Sequence, residues 1–338
     1  MSIFIILLVV LVQTNSLQMP STVKLSHRKN NLSSSDGIMP ILFIHGLDSS
    51  SHTWRNILPE MQIPAAAIDV RGCGSSDLGD PDDFSPDSIV EDIQEFVSSH
   101  EFFCDDSNEE DRGDTKNGIR KFVICGHSMG GRIAMSYAAK YPQNVAALII
   151  EDMDIRTRGH EMNMFQRKVL NRGETIAFQR HLKTDSVDDI VSLFDKEGYP
   201  KESVNKWIAD GRIHLCSDEK NTKSLGYYSE VNPAFRILCY EQFFVTNHGE
   251  DTWSKIALNS SYPFPCHVMV AGSQGTVCDN ESVWKMQKIM KEMSDFRMFI
   301  HRYKDATHSI HNSDRKKFLN DLNGIIYTAA AEVNRWRT

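Results

Sequence analysis

The sequence predicts an α/β fold, a mostly parallel sheet covered by helices on both faces, with a helical insertion. Three observations carry this. Short apolar runs alternate with helix-patterned segments from residue 41 onward, the rhythm of parallel strands joined by helical crossovers. Near the middle, Lys121-Phe122-Val123-Ile124-Cys125 reads as a buried strand and Arg132 to Lys140 as a helix stopped by Tyr141-Pro142. Between them lies Gly126-His127-Ser128-Met129-Gly130, a G-x-S-x-G turn whose glycines let strand and helix pack closely. Finally, the strand rhythm breaks between about residues 155 and 259 and then resumes.

The elements follow in order. Val23 to His27 alternates like one edge strand, and Ile41-Leu42-Phe43-Ile44 is a buried strand. In Ser49 to Glu60, Trp54 and Leu58 stand one helical turn apart. Ala65 to Ile68 is a small apolar strand leading into Asp69-Val70-Arg71-Gly72-Cys73-Gly74-Ser75-Ser76-Asp77. Ser85-Pro86-Asp87 opens a helix with Ile89, Ile93, Phe96 and Val97 on its apolar face. Residues 104–118 hold six acids against one Arg and one Lys and follow no calcium-loop spacing, so they read as a solvated insertion. Val145 to Ile150 is a strand ending in Glu151-Asp152-Met153-Asp154. Helical patterns at Met162 to Leu170, Ile176 to Leu182, Ile190 to Phe194 and Val204 to Ile208 define the insertion. Cys266 to Ala271 and Phe296 to Tyr303 are the last strands, with helices from Asn280 to Met293 and through Phe318, Leu322 and Ile326. The core is therefore assigned to residues 17–154 and 260–338, and the cap to 155–259.

Composition bounds the function. The 338 residues carry a net charge of -8 and no basic stripe, which points away from nucleic acid and anionic membrane surfaces. Ile3 to Val12 is an unbroken apolar run, short for a membrane span, followed by the small residues Thr14 and Ser16. Residues 1–16 therefore read as a signal peptide, with an uncleaved N-terminal membrane anchor as the alternative. Sequons at Asn31, Asn259 and Asn280 agree with a secreted or secretory-lumen glycoprotein. The seven cysteines are odd in number, so at least one is free or pairs between chains. No C-x-x-C pair suggests a metal, and no cofactor is implied.

A serine hydroxyl needs a base within reach and an acid that orients the base. In this topology the order is Ser, acid, His. Ser128, the cluster at 151–154 and His308 satisfy it. His308 lies in the loop after the last strand, with His301 and His311 as local rivals. The acid is one of Asp152, Asp279, Asp154 and Glu151, and Asp152 is favoured because it leaves the sheet just past the apolar run. Alternation aims Glu151 to the opposite side, and Asp279 reads as a helix cap. The oxyanion donors expected are the N–H groups of Met129 and Leu47. His45 is a candidate for substrate contact or for a structural hydrogen bond in its turn. His127, held by the elbow, reads as structural.

These motifs resemble the α/β-hydrolases: Phe43-Ile44-His45-Gly46-Leu47 with Trp54, Asp69 to Ser76, Gly126 to Gly131, and Asp305-Ala306-Thr307-His308. The resemblance covers about residues 22–330. Within that family the sequence is similar to the α/β-hydrolase domain-containing protein 11 type esterases and their bacterial relatives, in which the acid follows the strand after the elbow. Ala271-Gly272-Ser273-Gln274-Gly275 lacks the Asp that many relatives carry there. The acidic insertion and the apolar N-terminus depart from that group.

The resemblance implies a serine hydrolase acting through an acyl-enzyme on a small-molecule ester, thioester or lipid-like acyl substrate, with no obligate protein partner inferred. Relatives with Asp at the elbow are dehalogenases or epoxide hydrolases, and Ser128 argues against both. An aminopeptidase or amidase with the same residues and a catalytically silent binding protein are the alternatives. Met162, Met164 and Phe165 are candidates for an acyl pocket or for helix packing.

Overall fold

A computed structural model describes residues 22–33, 38–104, 118–157, 172–218, 221–273, 276–293 and 297–336. The apolar N-terminus, most of the acidic insertion, and Met162, Met164 and Phe165 lie outside these residues. Among the described residues no helix is long and apolar enough to cross a membrane.

A seven-stranded sheet forms the centre, in the order β1-β3-β2-β4-β5-β9-β10. The strands are β1 (His27–Lys29), β2 (Ile41–Ile44), β3 (Ala65–Ile68), β4 (Phe122–His127), β5 (Val145–Glu151), β9 (Cys266–Ala271) and β10 (Met298–Tyr303). Every neighbouring pair is parallel except β1 with β3. Alternation along each strand feeds two cores. Leu42, Ile44, Ile124, Leu148 and Ile150 face one side; Ile41, Phe43, Val123, Cys125 and Ile149 face the other.

Helices α1 (Pro86–Ser99), α2 (Met129–Lys140), α7 (Gly249–Leu258) and α8 (Asn280–Met293) cover the first core; α10 (Arg315–Trp336) covers the second. The α10 seam is Phe318, Leu322, Ile325 and Ile326, spaced as a helix needs to bury one stripe. At the start of α1, Ser85 Oγ accepts from Ser88 N at 3.1 Å and Pro86 takes the first helical position.

Three local expectations are corrected. Ser49 to Glu60 is not one helix but two 3-10 turns, Ser51–Trp54 and Leu58–Glu60. Pro59 lacks the N–H that a continuous helix requires. The edge strand lies at His27–Lys29, while Val23 and Leu25 are buried just before it.

The inserted unit is not purely helical either. It holds α3 (Arg172–Ile176), α4 (Val187–Lys196), α5 (Lys201–Ala209) and α6 (Pro233–Leu238). It also holds an antiparallel sheet of β6 (His181–Leu182), β7 (Ile213–Asp218) and β8 (Asn221–Ser229), in the order β6-β8-β7. Leu182, Ile190, Phe194, Tyr199, Trp207 and Ile213 give this unit its own small core.

One ion pair ties the loop after β3 to α1. Arg71 Nε lies 2.5 Å and Nη2 2.7 Å from the Asp92 carboxylate, and both side chains are buried. Removing one partner strands the other charge, so Arg71→Met should lower unfolding free energy by about 3–5 kcal/mol. Urea titration measures this; a loss below about 1 kcal/mol would show that the pair is dispensable.

Candidate active site

β4 ends at His127 and α2 begins at Met129, so Ser128 makes the whole turn. Its φ of 53° and ψ of -124° are strained for a non-glycine residue. Two backbone bonds hold it there: Ser128 N to Glu151 O at 2.9 Å and Gly131 N to Ser128 O at 2.8 Å. A side chain at Gly126 would collide with the carbonyl of Gly130, so only glycine admits this approach of strand and helix. Met129 is the first residue of α2, where an N–H has no partner within the helix.

The loop after β2 closes against this turn. A Cβ on Gly46 would lie 3.0 Å from His127 Nδ1 and 3.1 Å from Ser128 Cβ. That contact seats Leu47, half-buried, beside the elbow. His45 is fully buried, and backbone takes both ring nitrogens: Nε2 accepts from Val70 N at 3.1 Å and Nδ1 faces Gly46 O at 2.8 Å. His45 thereby joins the loops after β2 and β3.

The four candidate acids are engaged differently, although Asp154 and Asp279 share Arg156. Asp152 is buried, with Oδ2 2.6 Å from His308 Nδ1. It also accepts from Val277 N at 3.0 Å and Cys278 N at 3.3 Å. An ionised carboxylate only accepts, so in this contact His308 donates from Nδ1. Glu151 turns the other way and takes His311, whose Nδ1 lies 2.8 and 2.9 Å from its two oxygens. His311 N also donates to it at 2.9 Å. Asp154 pairs with Arg156 at 2.6 Å and Arg132 at 3.4 Å. Asp279 caps α8 by accepting from Ser282 N at 2.8 Å.

Of the rival histidines, His311 sits in α9 (Ile310–Ser313), fully buried, its ring 4.3 Å from that of Trp54. His301, in β10, contacts His267 at 3.0 Å. His301 also lies 3.5 Å from the partly exposed Asp321, whereas His308 combines a 2.6 Å contact to a fully buried carboxylate with a side chain 32% exposed. Among the described residues no hydrogen bond joins Ser128 to His308; such bonds are often long in unliganded sites and close around substrate.

A profile described as alpha/beta hydrolase fold matches residues 39–312. The chain belongs to the α/β-hydrolase fold family. Among curated α/β-hydrolase relatives, ethanol acetyltransferase 1 of Kluyveromyces lactis is 28% identical over 188 residues, covering 52% of this chain and 44% of that one. An abhydrolase domain-containing protein of Schizosaccharomyces pombe is 29% identical over 205 residues, 57% of this chain and 69% of that one. The chain spans about half or less of the yeast acetyltransferases it matches. A marine microorganism esterase superposes with a TM-score of 0.61 at 18% identity, covering 90% of this chain and all of the other. At that identity the likeness speaks for the fold alone.

His127 lies between the other two histidines, its ring centroid 4.8 Å from that of His308 and 5.1 Å from that of His311. Its Nε2 donates to the His308 carbonyl at 3.0 Å, which fixes the loop that carries His308. Sequence reading assigned His127 a structural place but not this partner, because 181 residues separate the two. Burial pushes the His127 pKa down from 6.5 to about 3. It is neutral in the fold, whereas the unfolded chain takes up a proton below about pH 6.5. Its contribution to stability is therefore complete above that pH and declines as pH falls toward 3. Unfolding free energy should drop between pH 7 and 4, and His127→Gln should flatten the slope by up to one proton. Superimposable pH profiles would trace the acid sensitivity to other groups.

Proposed function

We propose that the chain is a serine hydrolase that cleaves a carboxylic ester or thioester of a small molecule. The carrying observation is the 2.6 Å contact of buried Asp152 with His308 Nδ1, next to a strained Ser128. In this reading His308 Nε2 takes the Ser128 proton as Oγ attacks the acyl carbon. The N–H groups of Met129 and Leu47 face the developing oxyanion. The leaving alcohol or thiol takes the proton from His308 and departs, leaving an acyl-enzyme. Water, activated by the same histidine, then releases the acid. The resemblance to the domain-containing protein 11 type rests on Asp152 following β5.

Several matched relatives are named ethanol acetyltransferases. That favours a second reading in which an alcohol replaces water in the last step. Adding ethanol to an acetyl-ester assay distinguishes them: ethyl acetate marks transfer, acetate alone marks hydrolysis.

Ser128→Ala should leave the fold intact, abolish labelling by a fluorophosphonate probe, and reduce turnover by several orders of magnitude. Near-normal ester hydrolysis in that variant would place the chemistry elsewhere. Asp152→Asn should lower kcat by on the order of 10⁴, because the histidine tautomer is lost. Asp279→Asn should lose less than about tenfold, since weakening a helix cap costs only about 1 kcal/mol. The reverse ranking in kcat would move the acid to the loop after β9.

We also propose entry into the secretory pathway, on the apolar run Ile3 to Val12 and the exposed sequon residues Asn31 and Asn280. N-terminal sequencing of native protein should begin near residue 17, and a glycosidase should shift its gel mobility. An intact Met1 with no shift would refute this.

A further inference from the structure

Asp48 follows Leu47 in the loop after β2 and holds φ at 52°, in the left-handed region. Three groups of the inserted unit converge on it. Arg236 Nη2 lies 2.5 Å from Asp48 Oδ2. Tyr199 OH donates to Oδ1 at 2.9 Å. Arg212 Nη1 donates to the Asp48 backbone carbonyl at 3.0 Å. The groups also brace one another: the Arg236 guanidinium lies 4.2 Å from the Tyr199 ring centre. Tyr199 packs edge-on against Trp207 and Phe194 in the core of the inserted unit, so its hydroxyl cannot shift alone. Burial and the Asp48 charge keep its phenol protonated, hence a donor.

Leu47 thus stands between two anchors. On one side Gly46 presses on His127 and Ser128; on the other, residue 48 is gripped through both its carboxylate and its carbonyl. We propose that Asp48 is a positioning residue through which the inserted unit aims the Leu47 N–H at the oxyanion. The inference rests on the serine-hydrolase reading above. It makes the inserted unit a determinant of turnover. The left-handed backbone at residue 48, unfavourable for a side chain other than Gly, Asn or Asp, is then held by contacts whose consequence lies one residue away.

Asp48→Asn and Asp48→Gly test this. Both residue types tolerate positive φ, so a loss common to both belongs to the carboxylate. With a short p-nitrophenyl ester, kcat should fall roughly 10–100-fold, somewhat less than removing an oxyanion donor outright. KM should stay within about twofold, because the interaction strengthens in the transition state. Affinity for a trifluoromethyl ketone, which adds to the serine as an oxyanion mimic, should fall in parallel with kcat. Tyr199→Phe, which removes one hydrogen bond and keeps the buried ring, should show the same pattern more weakly and guards against misfolding of the other two. Wild-type kcat and ketone affinity in all three variants would overturn the clamp, as would a change confined to KM or to Tm. Wild-type protein that a fluorophosphonate fails to label would instead remove the serine-hydrolase reading beneath it.

Discussion

The end of β5 constrains everything around it. Consecutive Glu151 and Asp152 leave the sheet toward opposite sides, and each takes one histidine from the stretch after β10, His311 in α9 and His308 in the loop before it. Two histidines three residues apart therefore fasten that stretch in two directions at once. Buried carboxylates are tolerated only when donors satisfy them, and here each has several. Burial opposes the charge on Glu151, but His311 and His127 outweigh it and hold its pKa below the usual carboxylate value. Asp154, the third acid of the cluster, pairs with Arg132 and Arg156.

Backbone strain gathers in the same place. Among the described residues, Asp48, Ser128 and Asp152 are the non-glycine positions with positive φ. Each is held by contacts from elsewhere in the chain: the inserted unit for Asp48, the Glu151 carbonyl for Ser128, the Met269 carbonyl for Asp152. Strain of this kind persists only where surrounding structure over-determines it. The sheet and the inserted unit supply that surrounding.

The central strands were legible because apolar runs such as Ile41 to Ile44 and Val145 to Ile150 are buried on both faces, which leaves no polar residues to blur them. The elbow was legible because its glycines are demanded by local geometry. The hairpin of β7 and β8 was not: it carries charged and polar residues, exposes Leu215, and lacks an Asn-Gly or Asp-Gly turn. The partners of Asp48 were hidden for another reason. Tyr199, Arg212 and Arg236 are more than a hundred residues away, and nothing local selects them from the other tyrosines and arginines. His45 suits a substrate or its own turn equally well in the sequence, and its partner Val70, just past the end of β3, is not legible there.

The fastening at the end of β5 also bears on the order of synthesis. Asp152 and His308 are 156 residues apart, and Glu151 and His311 are 160 apart. A chain leaving the ribosome makes β2, β4 and β5 long before either histidine exists. Through that interval the two carboxylates lack their ring partners. In the serine-hydrolase reading proposed above, a chain halted before residue 308 would possess the whole elbow and no base. On that reading, chemical competence waits for the segment after β10, which makes it a report that synthesis has reached the far side of the sheet.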